Sequence, residues 1–143
     1  MQCIFCDIIN KKTPAEFLYE NELSIAILDI NPIHYGHALI IPKRHCIDFL
    51  ALPEPDLTRV MQVGQVVARG LVESLGLEGF NIFSNNGRIA GQSVFHFHLH
   101  ITPRYPGDDI RFVLKLKKYQ DGDASRYGAR IRDIIQQQRK SNG

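Results

Sequence analysis

Residues 94–102 read VFHFHLHIT, so that histidines alternate with apolar residues. Because successive side chains of a β-strand point to opposite faces, a strand here carries His96, His98 and His100 on one face. Burial of the other face fixes the register, since a shift by one residue would bury the imidazoles instead. The stretch therefore predicts a strand over 94–103 with a row of imidazoles at one surface. The apolar face consists of Phe95, Phe97, Leu99 and Ile101.

The histidine row allows three interpretations: a solvated strand face, a metal site that uses two or three imidazoles, or a nucleophile for phosphate chemistry. A merely solvated face would be served by Thr, Lys or Ser. The loop just upstream, residues 85–93 (NNGRIAGQS), is polar and contains two glycines. Such a loop can direct backbone N–H groups at an anion, and Gln92 and Ser93 add side-chain donors. The combination favours phosphate chemistry.

The pattern around this strand predicts an α+β fold. Apolar residues recur at helical spacing over 57–75, with Asp56 as a candidate cap and Gly76 as the stop. Because helices and strands do not alternate regularly, we expect a mainly antiparallel sheet. The other predicted elements are two helices and three strands, at 4–10, 127–135, 24–29, 37–41 and 80–84.

Length and composition predict one domain over residues 1–143, with a polar tail at about 136–143 that frays. A net charge of +2 is small for a nucleic-acid binder. No apolar run approaches the ~20 residues of a membrane span, and the first residues lack a signal-peptide pattern. We therefore expect a cytoplasmic protein without nucleic-acid or membrane partners. The cations between apolar residues are interpreted as a solvated face: Arg111, Lys115, Lys117 and Lys118.

The chain is similar to the histidine triad (HIT) family, from about Ile4 to Tyr105. Residues 96–102 match the family signature of three alternating histidines. The similarity extends, in order, through LDINP, GH, IPKRH and GQSV, at 28–32, 36–37, 41–45 and 91–94. The chain resembles the bacterial zinc-containing members of the Hint branch. The resemblance implies a HIT-like fold with a five-stranded sheet and two main helices.

Residue roles follow from this resemblance. His98 is expected to be the nucleophile, and neutral imidazole suits that role because its pKa of about 6.5 leaves it largely unprotonated at neutral pH. His100 is expected to contact the phosphate and protonate the leaving group, with His37 and Ser93 in support. Asp29 matches the ribose-binding acid, although it could instead cap a turn. The other expected substrate contacts are Ile30, Asn85, Gly91, Gln92, Ile4, Phe5 and Ile8, of which the apolar ones could equally be plain core.

Cys3 and Cys6 form a C-x-x-C pair that alone is ambiguous between zinc, redox chemistry and no function. A thioredoxin-like motif would follow a strand, and only two residues precede this one. A zinc knuckle needs two more ligands. The resemblance implies that His45 and His96 complete a structural Cys2His2 zinc site. Catalysis itself is expected to need no metal, and Cys46 is interpreted as a core residue.

The leading functional hypothesis is a hydrolase that cleaves a purine nucleoside monophosphate from its leaving group through a nucleotidyl-histidine intermediate. An alternative is a dinucleoside polyphosphate hydrolase, because residues 102–108 (TPRYPGD) place Arg104 where it could grip an extra phosphate. Another alternative is a nucleotide-binding regulatory protein with weak activity. The resemblance also implies a homodimer, with helix 57–75 as the natural interface.

Overall fold

The computed structural model describes residues 2–143. They group into two compact units, one that ends at Ile110 and one that spans Arg111–Gly143. A single domain over residues 1–143 stays a prediction.

An antiparallel five-stranded sheet forms the centre of the first unit, with strand order β1-β2-β3-β5-β4. Together with three α-helices over residues 2–143, this sheet confirms the predicted α+β class. The strands are β1 (Phe17–Glu20), β2 (Ser24–Leu28), β3 (Ala38–Pro42), β4 (Gly79–Phe83) and β5 (Leu99–Arg104). The helices are α1 (Ile4–Ile9), α2 (Glu54–Leu75) and, in the second unit, α3 (Asp123–Ser141).

The two inner strands β2 and β3 are buried on both faces. Ala26 and Ile40 pack into a cluster with α2, whereas Ile25, Ile27 and Ile41 pack into a second cluster with α1. Because both faces are covered, these strands have almost continuous apolar sequences instead of an alternating pattern. Asp29 directly follows β2 and His37 directly precedes β3, so these packed strands position both residues.

Helix α2 begins at Glu54, three residues before the predicted start. Proline is tolerated in the first turn, where its missing N–H would have no helical partner, and Pro55 stands there. The expectation that Asp56 caps the helix is wrong: Asp56 lies inside the first turn, buried beside Arg44. The helix ends as predicted at Gly76, which has φ 62°.

The predicted strand over 94–103 is correct only from Leu99 onward, since β5 is Leu99–Arg104. Before it, the backbone N–H of Phe97 donates to the carbonyl of Cys46, a residue outside the sheet, at 2.7 Å. Phe97, Leu99 and Ile101 are buried as expected. Phe95, predicted to share their face, is 41% exposed because it precedes this anchored segment.

The second unit contains α3, which the apolar spacing of Tyr127 and Ile131 predicts. The helix continues to Ser141, and the expected fraying of residues 136–143 stays a prediction. Among the described residues, neither long helix has a stretch apolar enough to cross a bilayer. The homodimer stays a prediction, although Met61 and Val66 on α2 are about half exposed.

Gly36 lies in the turn between the strand ends and has φ 90°, where a Cβ would come within 2.7 Å of Leu75 Cδ1. We expect Gly36→Ala to lower the free energy of unfolding by about 2–4 kcal/mol, through backbone strain and overpacking. Gly70, on the exposed side of α2, has no described atom within 4 Å of such a Cβ. Gly70→Ala should raise stability by up to about 1 kcal/mol. Urea denaturation measures both, and equal effects would contradict this account of the turn.

Candidate active site

A cleft of about 610 Å³ opens where the ends of β2 and β5 meet α1. It has an apolar wall and, at one end, imidazole and carboxylate groups. That volume lies in the range of small-molecule binding sites. The lining residues are Ile4, Phe5, Ile8, Thr13, Pro14, Ala15, Glu16, Ile27, Leu28, Asp29, Ile30, Asn31, Leu39, Ser93, Val94, His98 and His100.

The three histidines of the row do not share one site. His98 and His100 line the cleft. His96 is fully buried and points into a separate cluster with Cys3, Cys6 and His45. The expectation of three imidazoles in one open row is therefore wrong for His96, which precedes the point where the N–H of Phe97 anchors the chain to Cys46.

His98 is held in one tautomer by the backbone. Its Nδ1 lies 2.8 Å from the carbonyl oxygen of His96, which can only accept a hydrogen bond. Nδ1 therefore carries the proton, and the neutral ring has its lone pair on Nε2. Burial lowers the pKa of His98, and the edge-on ring of Phe5 at 4.9 Å contributes to that burial. The resulting group is a neutral imidazole with its lone pair on Nε2, which is the form that a nucleophile requires.

A chain of hydrogen bonds sets the tautomer of His100. The backbone N–H of Ile33 donates to Nδ1 of His37 at 3.0 Å, so the proton of neutral His37 is on Nε2. That Nε2 lies 2.9 Å from Nδ1 of His100 and donates to it. Neutral His100 consequently carries its own proton on Nε2. His98 and His100 therefore differ in which ring nitrogen is protonated: one has a lone pair at Nε2 and the other a donor.

Burial also shifts the titration of this pair. It lowers the pKa of His37, and burial together with His98 and His37 lowers the pKa of His100 to about 4. Asp29 lies 3.8 Å from Nε2 of His37. Asp29, His37 and His100 are close enough to hold a cation. We interpret them as a hydrogen-bonded relay. A cation on Nε2 of neutral His37 would require the ring proton on Nδ1, but Nδ1 already accepts a hydrogen bond from the Ile33 N–H.

The loop before the histidines contributes unequally to the cleft. Ser93 lines it, and its expected support of catalysis stays a prediction. Gln92 is buried beneath the loop: its Oε1 accepts from Gly87 N–H, and its Nε2 donates to the carbonyls of Ile47 and Val94. Its side chain fixes the loop in this structure, and the substrate contact expected of it stays a prediction.

Asn85 and Gly91 belong to the same loop as Gln92 and lie close to each other, but neither is among the described residues that line the cleft. A Cβ on Gly91, which has φ 94°, would lie 3.6 Å from the Asn85 amide nitrogen. This conformation favours glycine and lets the Asn85 amide approach the backbone. Their expected phosphate contacts stay predictions.

The other lining residues of the cleft form an apolar wall with one carboxylate beside the histidines. Ile4, Phe5 and Ile8 form part of the wall, and Asp29 and the 91% exposed Ile30 stand at the rim. Asp29 also accepts a hydrogen bond from Asn31 N–H, so the turn-capping interpretation is correct for one oxygen. Sequence reasoning missed the segment 13–16 on this wall, which follows α1 and carries no motif.

The second cluster has the geometry of a four-coordinate metal site. Nδ1 of His96 lies 3.4 Å from Cys3 Sγ, 3.6 Å from Cys6 Sγ and 3.1 Å from His45 Nδ1. His45 Nδ1 lies 3.4 Å from Cys6 Sγ. Nε2 of His96 donates to the carbonyl of Pro42 at 2.8 Å, which leaves the Nδ1 lone pair for a cation. The four residues proposed as ligands are thus brought together, and Cys46 lies outside them.

Arg104 is not positioned to grip a phosphate. Its guanidinium pairs with both carboxylate oxygens of Asp108, at 2.7 and 3.1 Å, and with Asn81 at 3.0 Å. Those bonds hold the turn after β5. The expectation that Arg104 serves an extended phosphate chain is therefore wrong in this structure.

Comparison with known proteins agrees with this geometry. The HIT domain model matches residues 10–107. The adenosine 5′-monophosphoramidase of Saccharomyces cerevisiae is 42% identical over 71% of this chain and 62% of its own length. A HIT family crystal structure from Bacillus anthracis superposes with a TM-score of 0.87 at 36% identity, over 93% of this chain and 96% of that one. A zinc-bound histidine triad protein from Mycobacterium smegmatis is 38% identical with a TM-score of 0.74, over 99% and 98% of the two chains.

The lowered pKa of His100 predicts an acid-sensitive contribution to stability. The unfolded chain protonates this residue below about pH 6.5, whereas the folded chain resists until about pH 4. Stability should therefore fall as the pH falls through this window. At about pH 4.5, His100→Asn should retain about 1–2 kcal/mol more of its neutral-pH stability than wild type. Urea denaturation at the two pH values measures this, and identical losses in both proteins would refute it.

Proposed function

Because the chain belongs to the HIT family, we propose that it is a nucleotide hydrolase that passes a nucleoside monophosphate first to His98 and then to water. The observation that carries this proposal is the pairing of opposite Nε2 states in one cleft. His98 has a lone pair there and His100 has a proton. A nucleophile and a donor side by side are what a displacement at phosphorus requires.

Substrate placement follows from the lining of the cleft. The apolar wall of Ile4, Phe5 and Ile8 accepts a purine, and the carboxylate of Asp29 accepts hydrogen bonds from ribose hydroxyls. The α-phosphate then reaches His98, His100 and Ser93. Its negative charge raises the pKa of His100 toward the ordinary value, because an opposite charge favours the protonated ring.

The reaction takes two displacements. In the first, Nε2 of His98 forms a bond to the α-phosphorus and the bond to the leaving group breaks. That group takes the Nε2 proton of a His100 ring that became doubly protonated when the phosphate bound, so His100 is left neutral. The carbonyl of His96 stabilises the positive ring that results, through the hydrogen bond from Nδ1. In the second, a water oxygen bonds to phosphorus, the phosphorus–nitrogen bond breaks, and the water proton returns to His100.

A phosphoramidate is the leaving-group class that we propose. A relative 42% identical to this chain is named as an adenosine 5′-monophosphoramidase. An amine leaving group needs a proton, which the Nε2–H of His100 offers. Arg104 was the residue that favoured the alternative activity on dinucleoside polyphosphates. Its guanidinium donates instead to Asp108 and Asn81. A purely regulatory role would not require the ordered relay from Ile33 through His37 to His100.

A structural zinc ion is the second part of this proposal. A tetrahedron with ordinary zinc bonds has edges of about 3.3 Å between nitrogens and about 3.5 Å between nitrogen and sulfur. His96 Nδ1 lies 3.1–3.6 Å from the ligand atoms of Cys3, Cys6 and His45, and His45 Nδ1 lies 3.4 Å from Cys6 Sγ. Burial is the main reason that the pKa of the Cys6 thiol is raised to about 11, and the neighbouring Cys3 raises it further. Without a metal, the thiolate form of Cys6 is therefore disfavoured. A bound zinc would supply the compensating charge and tie the N-terminal segment to the loop before β5.

His98→Ala should lower turnover of an adenosine phosphoramidate by at least about a thousandfold, because it removes the nucleophile. Mass spectrometry of quenched wild-type protein should find a nucleotidyl adduct on His98. His34→Ala is the matched control, since His34 lies on the turn outside the cleft and its side chain takes no part in the relay. Wild type should also turn over the phosphoramidate faster than a diadenosine polyphosphate. Unimpaired hydrolysis by His98→Ala would end the covalent mechanism.

Freshly purified protein should contain about one zinc ion per chain, measured by elemental analysis. Cys3→Ser and Cys6→Ser should lose the metal and unfold at lower temperature, whereas Cys46→Ala should keep it. Chelation of the wild type should reproduce the lower unfolding temperature. Metal-free wild-type protein, or zinc loss in Cys46→Ala alone, would refute the assignment.

A further inference from the structure

Phe83 lies flat against the ring of His100. The two ring centroids are 4.4 Å apart and the ring planes differ by 5°. The two residues are direct cross-strand partners, Phe83 on β4 and His100 on β5. Side chains of such a pair project from the same face of the sheet, so the stack is fixed by strand register.

This stack is not ordinary core packing. Phe83 is only partly buried. Among the described residues, it is not a member of either apolar cluster, and it is not one of the partly buried residues that pack against them. Phe80, on the same strand, points to the other face and pairs with Pro103. The ring partner of Phe83 is thus a histidine of the proposed catalytic pair.

The hydrogen bond from His37 does not fix the tilt of the His100 ring, and the stacked ring of Phe83 restricts it. His37 holds Nδ1 through a hydrogen bond at 2.9 Å, but one bond still allows the ring to tilt about it. A parallel ring at 4.4 Å blocks that tilt on one face. The Nε2–H is then kept aimed into the cleft, beside His98, whose ring centroid is 4.8 Å away.

We propose that Phe83 is a positioning residue that orients His100 for the reaction at His98. The inference rests on the proposed function, because it concerns the donor of that reaction. Phe83 acts through His100 alone, without contacting the nucleotide. Neither the histidine motif nor the loop before it points to residue 83. Only the pairing of β4 with β5 brings the two rings together.

A double-mutant cycle tests this dependence. Phe83→Leu should lower kcat for an adenosine phosphoramidate by about tenfold to a hundredfold, as expected for a misplaced group, with KM little changed. In the His100→Asn background the same substitution should change kcat by less than about twofold, since its target is gone. Phe83→Tyr keeps a flat ring and should restore most of the activity. Phe80→Leu is the matched control on the opposite face of β4 and should leave kcat unchanged.

An equal loss of kcat from Phe83→Leu in both backgrounds would overturn the inference, because a general folding defect acts with or without His100. No loss in the wild-type background would overturn it as well. Failure of the proposed function looks different: the wild type would then form no nucleotidyl adduct, or His100→Asn would be fully active. If the proposed function fails, nitrogen NMR of the His100 ring still tests the inference, because it does not depend on activity. Relaxation of the ring nitrogens should show a rigid His100 ring in wild type and Phe80→Leu and a mobile one in Phe83→Leu. The Nε2–H tautomer should persist in all three proteins, because His37 sets it; a His100 ring that is equally rigid in Phe83→Leu would overturn the inference.

Discussion

The hydrogen bond from Nδ1 of His98 to the carbonyl of His96 is the interaction on which the site depends. It places the lone pair of His98 on the nitrogen that faces the cleft. The carbonyl can do this only if residue 96 is itself immobile. That residue is fully buried, its ring donates to Pro42, and its other nitrogen lies within the Cys3–Cys6–His45 cluster. The proposed metal site and the proposed nucleophile are therefore two ends of one short segment.

The second histidine of the cleft is controlled by a different mechanism. A backbone N–H from Ile33 orders His37, and His37 orders His100. Both rings are buried, and burial lowers the pKa of each. Burying neutral imidazoles costs stability in acid, because the unfolded chain protonates more readily. The fold accepts this cost and gains a pair of adjacent imidazoles with opposite protonation at Nε2.

The sequence was informative wherever a local pattern determines structure. Alternation predicted the burial of Leu99 and Ile101 and the exposure of His98 and His100 to the cleft. It failed for His96, because a strand pattern cannot say where pairing begins, and a hydrogen bond to distant Cys46 ends the ladder before residue 99. Long-range placement was equally invisible for the wall segment 13–16 and for Phe83. Arg104 was misjudged for the opposite reason. Its charge suggested that it binds a substrate phosphate, but its guanidinium pairs with Asp108 within the protein.

The tautomer of His98 is the most direct test of the whole account. Nitrogen NMR of the imidazole ring, at about neutral pH and in zinc-loaded protein, distinguishes a protonated from an unprotonated Nε2. The account predicts a proton on Nδ1 and a free lone pair on Nε2. A proton on Nε2, or an even mixture of the two tautomers, would contradict it.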